Sequence, residues 1–202
     1  EIRIAGEKIQ LDDAIAAWSG TLEGIFPSGA KAAATGEVPL YTERMRRAPT
    51  IKSARPRVFI PAFPGTNCEV DSARAFESAG AKADTLIVRN LTPGDIEQTI
   101  DRMAAAIRKA QIIMLPGGFS GGDEPEGSAK FLATTFRNPR IAEAVMDLLQ
   151  NRDGLRLGIC NGFQALIKLG LVPYGEITVP KETDPTLTFN TLGRHVSRMV
   201  YT

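Results

Sequence analysis

From Arg57 onward the chain repeats one unit: a short apolar run, a turn, and a segment with helical spacing. The runs are RVFIP (57–61), DTLIV (84–88), QIIML (111–115) and LRLGI (155–159). Each is apolar rather than alternating, the pattern of strands buried on two sides. Strands alternating with helices predict an α/β fold: a mostly parallel sheet with helices on both faces. Ligands bind such sheets beyond the carboxyl ends of the strands, where the loops 62–68, 116–127 and 160–163 gather.

The helices carry their own punctuation. EVDSARAFESAG (69–80) sets Ala73, Phe76 and Ala79 on one face and stops at Gly80. The next opens with Thr92 as N-cap, Pro93 in first position and Asp95 as the acid of a capping box. Its apolar stripe is Ile96, Ile100, Met103 and Ile107. A helix is predicted over 127–136. Another follows Asn138-Pro139, with Ile141, Val145 and Leu148 inward, and FQALIKLG forms a last one that ends at Gly170. There is no internal repeat.

Residues 1–54 differ. EIRIAGEKIQL reads as one short strand and LDDAIAAWSGTLEGIF as a helix with Ile15, Trp18 and Leu22 near helical spacing. The remainder is rich in Gly, Pro, Ala and charge without sustained periodicity. It reads as a linker whose basic cluster (Arg44, Arg46, Arg47, Lys52, Arg55) is a solvated stretch. We therefore expect a tail of a preceding domain over 1–54 and a catalytic domain over 55–202.

Composition narrows the function classes. The 202 residues are 43% hydrophobic and 23% charged, with a net charge of +1. That is a globular balance with no field aimed at nucleic acid or a membrane. No run is long enough to span a bilayer, and the charged first residues are not a signal peptide. Two cysteines do not make a disulfide framework, so Cys68 and Cys160 read as reduced thiols of a cytoplasmic protein.

Gly158-Ile-Cys160-Asn-Gly162 has the G-x-nucleophile-x-G spacing of a nucleophile elbow, with Cys in place of Ser. The glycines permit a sharp strand-to-helix turn that strains and exposes the central residue. The helix that follows directs its positive end at the sulfur and favours the thiolate, and the backbone N–H of Asn161 points toward an oxyanion. The plainer alternative is a small buried cysteine at a tight turn. The loop Pro116-Gly-Gly-Phe-Ser-Gly-Gly-Asp123 follows the neighbouring strand, and its glycines can turn N–H groups toward an anionic oxygen. It lacks the Gly-Lys-Ser/Thr ending of a phosphate-binding P-loop. Asp123, Glu124 and Glu126 have no His or Cys at ligand spacing, so no metal site is expected. Cys68 lacks an elbow; its Gly65-Thr66-Asn67 turn reads as shaping the pocket.

Taken together, strand-PGGFSGGD and strand-GICNGFQAL resemble the class I (triad) glutamine amidotransferases, most closely the glutaminase domains of phosphoribosylformylglycinamidine synthases. FPGTNCEVDSARAF and TFNTLGRHVSRM resemble the same family, so the likeness runs from about Arg57 to the end. It implies a flavodoxin-like sheet and a glutaminase in which Cys160 forms a γ-glutamyl thioester. Gly118 and Asn161 would hold the oxyanion. Gly117, Phe119, Gln164, Asn190 and Arg194 would bind glutamine, the last two at its amino-acid end. The resemblance further implies that the ammonia passes to a synthetase portion of the same polypeptide. There ATP, with Mg2+, would activate formylglycinamide ribonucleotide. Nothing in these residues resembles that ATP site, so no cofactor is expected here. The prefix, with TLEGIFP, resembles the end of the synthetase portion of the large, single-polypeptide form.

The family's thiol is assisted by a His-x-Glu pair downstream of the elbow. This sequence has none: its one histidine, His195, is followed by Val196-Ser197. His195 also falls inside the Asn-x-x-x-Arg-His segment assigned to substrate. We expect the base to lie beyond Thr202 and the fragment to be a poor glutaminase. Two alternatives remain: an elbow-cysteine hydrolase of the PfpI peptidase or deglycase type, which Asn161 after the nucleophile disfavours, and a non-catalytic docking domain.

Overall fold

The computed structural model describes residues 2–4, 6–21, 51–120, 129–187, 190 and 192–199. The chain divides into two compact units, Glu1–Met45 with Phe189–Thr202, and Arg46–Thr188. In the first, β1 (Ile2–Ile4) and β2 (Glu7–Ile9) pair antiparallel. The single strand expected here is thus a hairpin. Gly6, at φ 88°, takes the left-handed backbone that the turn requires. Helix α1 (Leu11–Gly20) buries none of its residues: Ile15 is 52% and Trp18 83% exposed, so the expected stripe is not a buried face among the described residues. Leu22, Arg44, Arg46 and Arg47 lie outside the described residues.

The second unit holds the predicted sheet. In chain order its elements are β3 (Arg57–Ala62), α2 (Glu69–Ser78), β4 (Lys82–Ile87), α3 (Pro93–Lys109), β5 (Ile112–Leu115), α4 (Lys130–Phe136), α5 (Pro139–Gln150), β6 (Leu155–Gly158) and α6 (Asn161–Lys168). The four strands are parallel in the order β4-β3-β5-β6. One face carries Phe59, Ile113 and Leu115 against a core from α3, α4, α5 and α6 that includes Met103, Ile107, Phe136, Ile141, Leu148 and Leu166. On the other face Val58, Ile60 and Met114 meet Ala73 and Phe76 of α2. Burial of side chains this size contributes about 1.5–3 kcal/mol each, so the larger core dominates stability.

The caps follow the sequence. Thr92 Oγ1 accepts from the Asp95 N–H at 3.1 Å, and Asn138 Oδ1 accepts from the Arg140 N–H at 3.1 Å. Asp95 departs from a capping box: its carboxylate accepts from the Thr92 hydroxyl at 2.8 Å and pairs with Arg89 at 3.0 Å. Helix α2 ends in a Schellman motif, with Ala81 N–H donating to Phe76 O and Gly80 N–H to Glu77 O. Ala79 is therefore an exposed cap residue and not part of the inward stripe. Ile96 likewise stays exposed, whereas Ile100, Met103 and Ile107 are buried. Strand β4 begins at Lys82, two residues before the apolar run, because the amide of Lys82 already bonds the Pro56 carbonyl. Helix α4 begins at Lys130 behind Ala129, which is left-handed at φ 56°.

Arg152 closes the end of α3. Its guanidinium donates to the carbonyls of Ile107, Arg108 and Ala110 and to the Asp147 carboxylate at 2.8 Å. Those carbonyls lie at the helix end, where backbone donors run short; Ile107 O also accepts from the Ala110 N–H at 3.1 Å. Arg140, by contrast, pairs with Glu97 and Asp101 on an exposed helix surface. Bonds from a charged donor to backbone carbonyls contribute about 1.5–3 kcal/mol, whereas exposed ion pairs contribute about 0–1 kcal/mol. Arg152→Ala is expected to lower unfolding free energy by about 2 kcal/mol and Arg140→Ala by under about 1 kcal/mol, as read by urea denaturation.

Candidate active site

At the carboxyl end of β6 the chain turns directly into α6. Ile159 N–H bonds Leu115 O at 3.1 Å and so extends the β5–β6 ladder by one rung. The next residue, Cys160, takes φ 52° and ψ −114°, a left-handed conformation that costs a non-glycine residue about 1–3 kcal/mol. Two glycines make this turn possible. A Cβ on Gly158 would lie 2.6 Å from Gly162 O, and one on Gly162 would lie 1.9 Å from Leu115 O. The first turn of α6 thus rests on the bare backbone of β5 and β6. Cys160 is left exposed at the helix N-terminus. This is the geometry of a nucleophile elbow, and Gln164 sits one turn along the same helix.

The glycine loop after β5 lies against the elbow. The position a Cβ would take on Gly117 is 3.2 Å from Cys160 Cβ and 3.2 Å from Cys68 Sγ. The Gly117 N–H donates to Cys68 Sγ at 3.0 Å. Gly118, at φ 131°, pairs with Thr66 as a single antiparallel bridge: Phe119 N–H donates to Gly65 O at 2.7 Å and Asn67 N–H to Gly117 O at 3.4 Å. The turn 63–66 is closed in its own right, Phe63 N–H donating to Thr66 Oγ1 at 3.0 Å and Thr66 N–H to Phe63 O at 2.9 Å. The Gly65-Thr66-Asn67-Cys68 turn therefore holds the loop on one side.

Ser120 holds the other side. Its hydroxyl donates to Asn161 Oδ1 at 2.8 Å, and Asn161 Nδ2 donates to Gln164 Oε1 at 3.3 Å. Phe119, next to it, is exposed at the mouth. Among the described residues the N–H groups of Gly118 and Asn161 have no acceptor. Two free donors flank an exposed thiol, an arrangement suited to the charge that develops when sulfur attacks a carbonyl.

Cys160, Gly117, Gly118, Phe119, Asn161 and Gln164 therefore come together. Asn190, Arg194 and His195 belong to the unit Glu1–Met45 with Phe189–Thr202. There they form a local turn in which Asn190 Nδ2 donates to Arg194 O at 2.6 Å and Gly193 N–H to Asn190 O at 3.1 Å. Their proposed place beside the elbow rests on the resemblance alone. Gly121, Gly122, Asp123, Glu124 and Glu126 lie outside the described residues. Among the described residues no group of three His, Cys, Asp or Glu could hold a metal, and no helix is long and apolar enough to cross a membrane. A cavity of about 260 Å³ opens between α3 and α4 at the end of β4, lined by Val88, Ile96, Ile100 and Phe131. It contains neither cysteine and is apart from the elbow chemistry.

Sequence spacing located the elbow and the glycine loop but missed Ser120 and the contact from Cys68 to Gly117. Their partners are 41 and 49 residues away, and no local pattern marks such a bond.

Comparison with known proteins bears on the site. Residues 55–202 match the CobB/CobQ-like glutamine amidotransferase domain. Phosphoribosylformylglycinamidine synthase subunit PurQ of Dehalococcoides mccartyi is 33% identical over 145 residues, covering 72% of this chain and 51% of the relative. The PurQ subunit of Methanococcus maripaludis is 36% identical over 146 residues, covering 72% of this chain and 49% of the relative. The chain thus spans about half the length of the curated relatives it matches. The solved structure of PurLQS from Thermotoga maritima is similar at 30% identity and a TM-score of 0.39, over 58% of this chain and 45% of that one.

The elbow stores strain that a side chain at position 160 must bear. Cys160→Gly is expected to raise unfolding free energy by about 1 kcal/mol, because glycine takes positive φ without penalty and the exposed thiol loses little burial. Cys160→Ala keeps the Cβ and should leave stability within about 0.5 kcal/mol of the parent in the same urea titration.

Proposed function

The chain belongs to the CobB/CobQ-like glutamine amidotransferase domain family, and on that premise we propose that it is the glutaminase module of a phosphoribosylformylglycinamidine synthase. The observation that carries the reading is the elbow: an exposed Cys160 at φ 52° on a strand-turn-helix, with the glycine loop against it. The Cys160 sulfur adds to the side-chain amide carbon of glutamine, and the carbonyl oxygen becomes an oxyanion between the N–H groups of Gly118 and Asn161. The carbon–nitrogen bond then breaks, the nitrogen takes the proton that the thiol gave up and leaves as ammonia, and a γ-glutamyl thioester remains. Water opens the thioester to give glutamate and the free thiol. Gly117, Phe119 and Gln164 form the near wall of the glutamine pocket, and Asn190 and Arg194 take its α-amino-acid end.

In the proposed whole reaction the ammonia passes to a synthetase portion that uses ATP and Mg2+ to convert formylglycinamide ribonucleotide to the amidine. We assign residues 1–54 to the tail of that portion within one polypeptide and 55–202 to the amidotransferase domain. The TLEGIFP stretch and the linker composition support this assignment, as do the unpacked apolar residues of α1. The partners are then glutamine and the synthetase region, not nucleic acid or a membrane.

The 202 residues contain no His-x-Glu pair. With no general base in place, the chain should react once with an electrophile yet turn over glutamine slowly or not at all. Incubation with the chloroketone analogue of glutamine should attach one equivalent at Cys160, with glutamine protecting and Cys160→Ala abolishing the adduct. Modification that ignores glutamine would sink the reading. Glutamate release at the rate of an intact amidotransferase would sink the claim of slow turnover.

A further inference from the structure

We propose that Ser120 is a positioning residue for this site: through Asn161 it locks the glycine loop onto the elbow and so fixes the two oxyanion donors relative to each other. The inference rests on the glutaminase reading and adds a residue to it.

Among the described residues three polar side chains are buried, Thr99, Ser120 and Asn161. Thr99 bonds locally to the Arg89 backbone. The other two, each 1% exposed, bond to each other at 2.8 Å. A buried hydroxyl or amide left without a partner costs about 1–3 kcal/mol, so this pair is strongly held once formed. What it joins matters. Ser120 lies two residues after Gly118, and Asn161 is the first residue of α6. The proposed oxyanion donors are the backbone N–H groups of Gly118 and Asn161, from segments 43 residues apart in sequence by their numbers. No backbone hydrogen bond links residues 116–120 to residues 160–164. The Ser120–Asn161 bond is the polar tie between the two donors.

On its far side the loop is tied to the β3 turn by the Phe119–Gly65 and Asn67–Gly117 bonds and by Cys68 Sγ. Those contacts set the loop relative to β3. Toward the elbow Gly117 packs beside Cys160, and the Ser120 hydroxyl adds the directional polar constraint. By engaging Asn161 Oδ1 it also leaves Asn161 Nδ2 to hold Gln164, so the same tie reaches the glutamine-binding side chain. Ser120 does not touch the reacting atoms and acts through Asn161.

The test compares two alkylating reagents at Cys160 in the full 202-residue chain. In both, sulfur forms a carbon–sulfur bond and a halide leaves. The chloroketone analogue of glutamine presents its ketone oxygen to the two donors. Iodoacetamide, small and without the amino-acid group, does not need them. Adduct formation on the Cys160 peptide is followed by mass spectrometry. Ser120→Ala is expected to slow the chloroketone about tenfold, a fraction of the loss seen when an oxyanion donor is removed outright, and to leave iodoacetamide within about twofold. Ser120→Thr, which keeps the hydroxyl, should recover most of the chloroketone rate.

An unchanged preference for the chloroketone in Ser120→Ala overturns the proposal. So does an equal effect on both reagents, which marks a general structural role, and so does a Ser120→Thr variant as slow as Ser120→Ala while its thermal unfolding matches the parent. A parent protein that shows no preference for the chloroketone, with no protection by glutamine, overturns the glutaminase reading itself and this inference with it.

Discussion

The site depends on a contact between backbones. Helix α6 begins where a Cβ on Gly162 would be 1.9 Å from Leu115 O and one on Gly158 would be 2.6 Å from Gly162 O. Only paired glycines let the helix start this close to two parallel strands. At this tight strand-to-helix junction Cys160 takes a positive φ of 52° and its side chain stays exposed. The strain and the exposure have one cause, and both follow from how tightly the helix is seated on the sheet.

The sheet supplies the rigidity that this seating needs. Strand β5 is central, with β3 and β6 on either side, and its Met114 and Leu115 are fully buried on opposite faces. The glycine loop leaves from its end and the elbow from the end of its neighbour, so the two start side by side on the sheet. Stabilisation is unequal between the faces. The larger core belongs to α3 through α6, and α2 covers the other face over β3 and β4. On β6, beyond α2, Leu155 is 64% exposed, and Leu157 and Ile159 are exposed as well.

Much of this was legible in the sequence because it is local. The N-caps Thr92 and Asn138, the stop at Gly80 and the inward Ile141, Val145 and Leu148 each follow from neighbours within four residues, and each is where spacing put it. The elbow was legible for the same reason: its glycines and its cysteine fit one pentapeptide. The misses are tertiary. Nothing in EIRIAGEKIQL distinguishes one strand from a hairpin until Gly6 turns it. Ala79 lost its inward place to a Schellman cap, and β4 was lengthened by a bond to Pro56 that the apolar run does not reveal. Ser120 and Cys68 reach partners more than 40 residues away, and a small polar residue in a glycine loop carries no mark of what it will bond.

The chemistry divides along the same line. Attack on an amide needs a nucleophile and an oxyanion site, and the segments proposed to supply them are two short motifs. Expulsion of the amide nitrogen needs more, because an amide anion is far too basic to leave and must first be protonated. Backbone N–H groups stabilise charge without transferring a proton. A titratable group must therefore stand beside the departing nitrogen. The sequence holds one imidazole, His195, whose backbone carbonyl accepts from Arg194 Nη1 at 3.3 Å. On the proposed reading, attack on the amide and release of ammonia place different demands on the site, so the two steps can be measured separately.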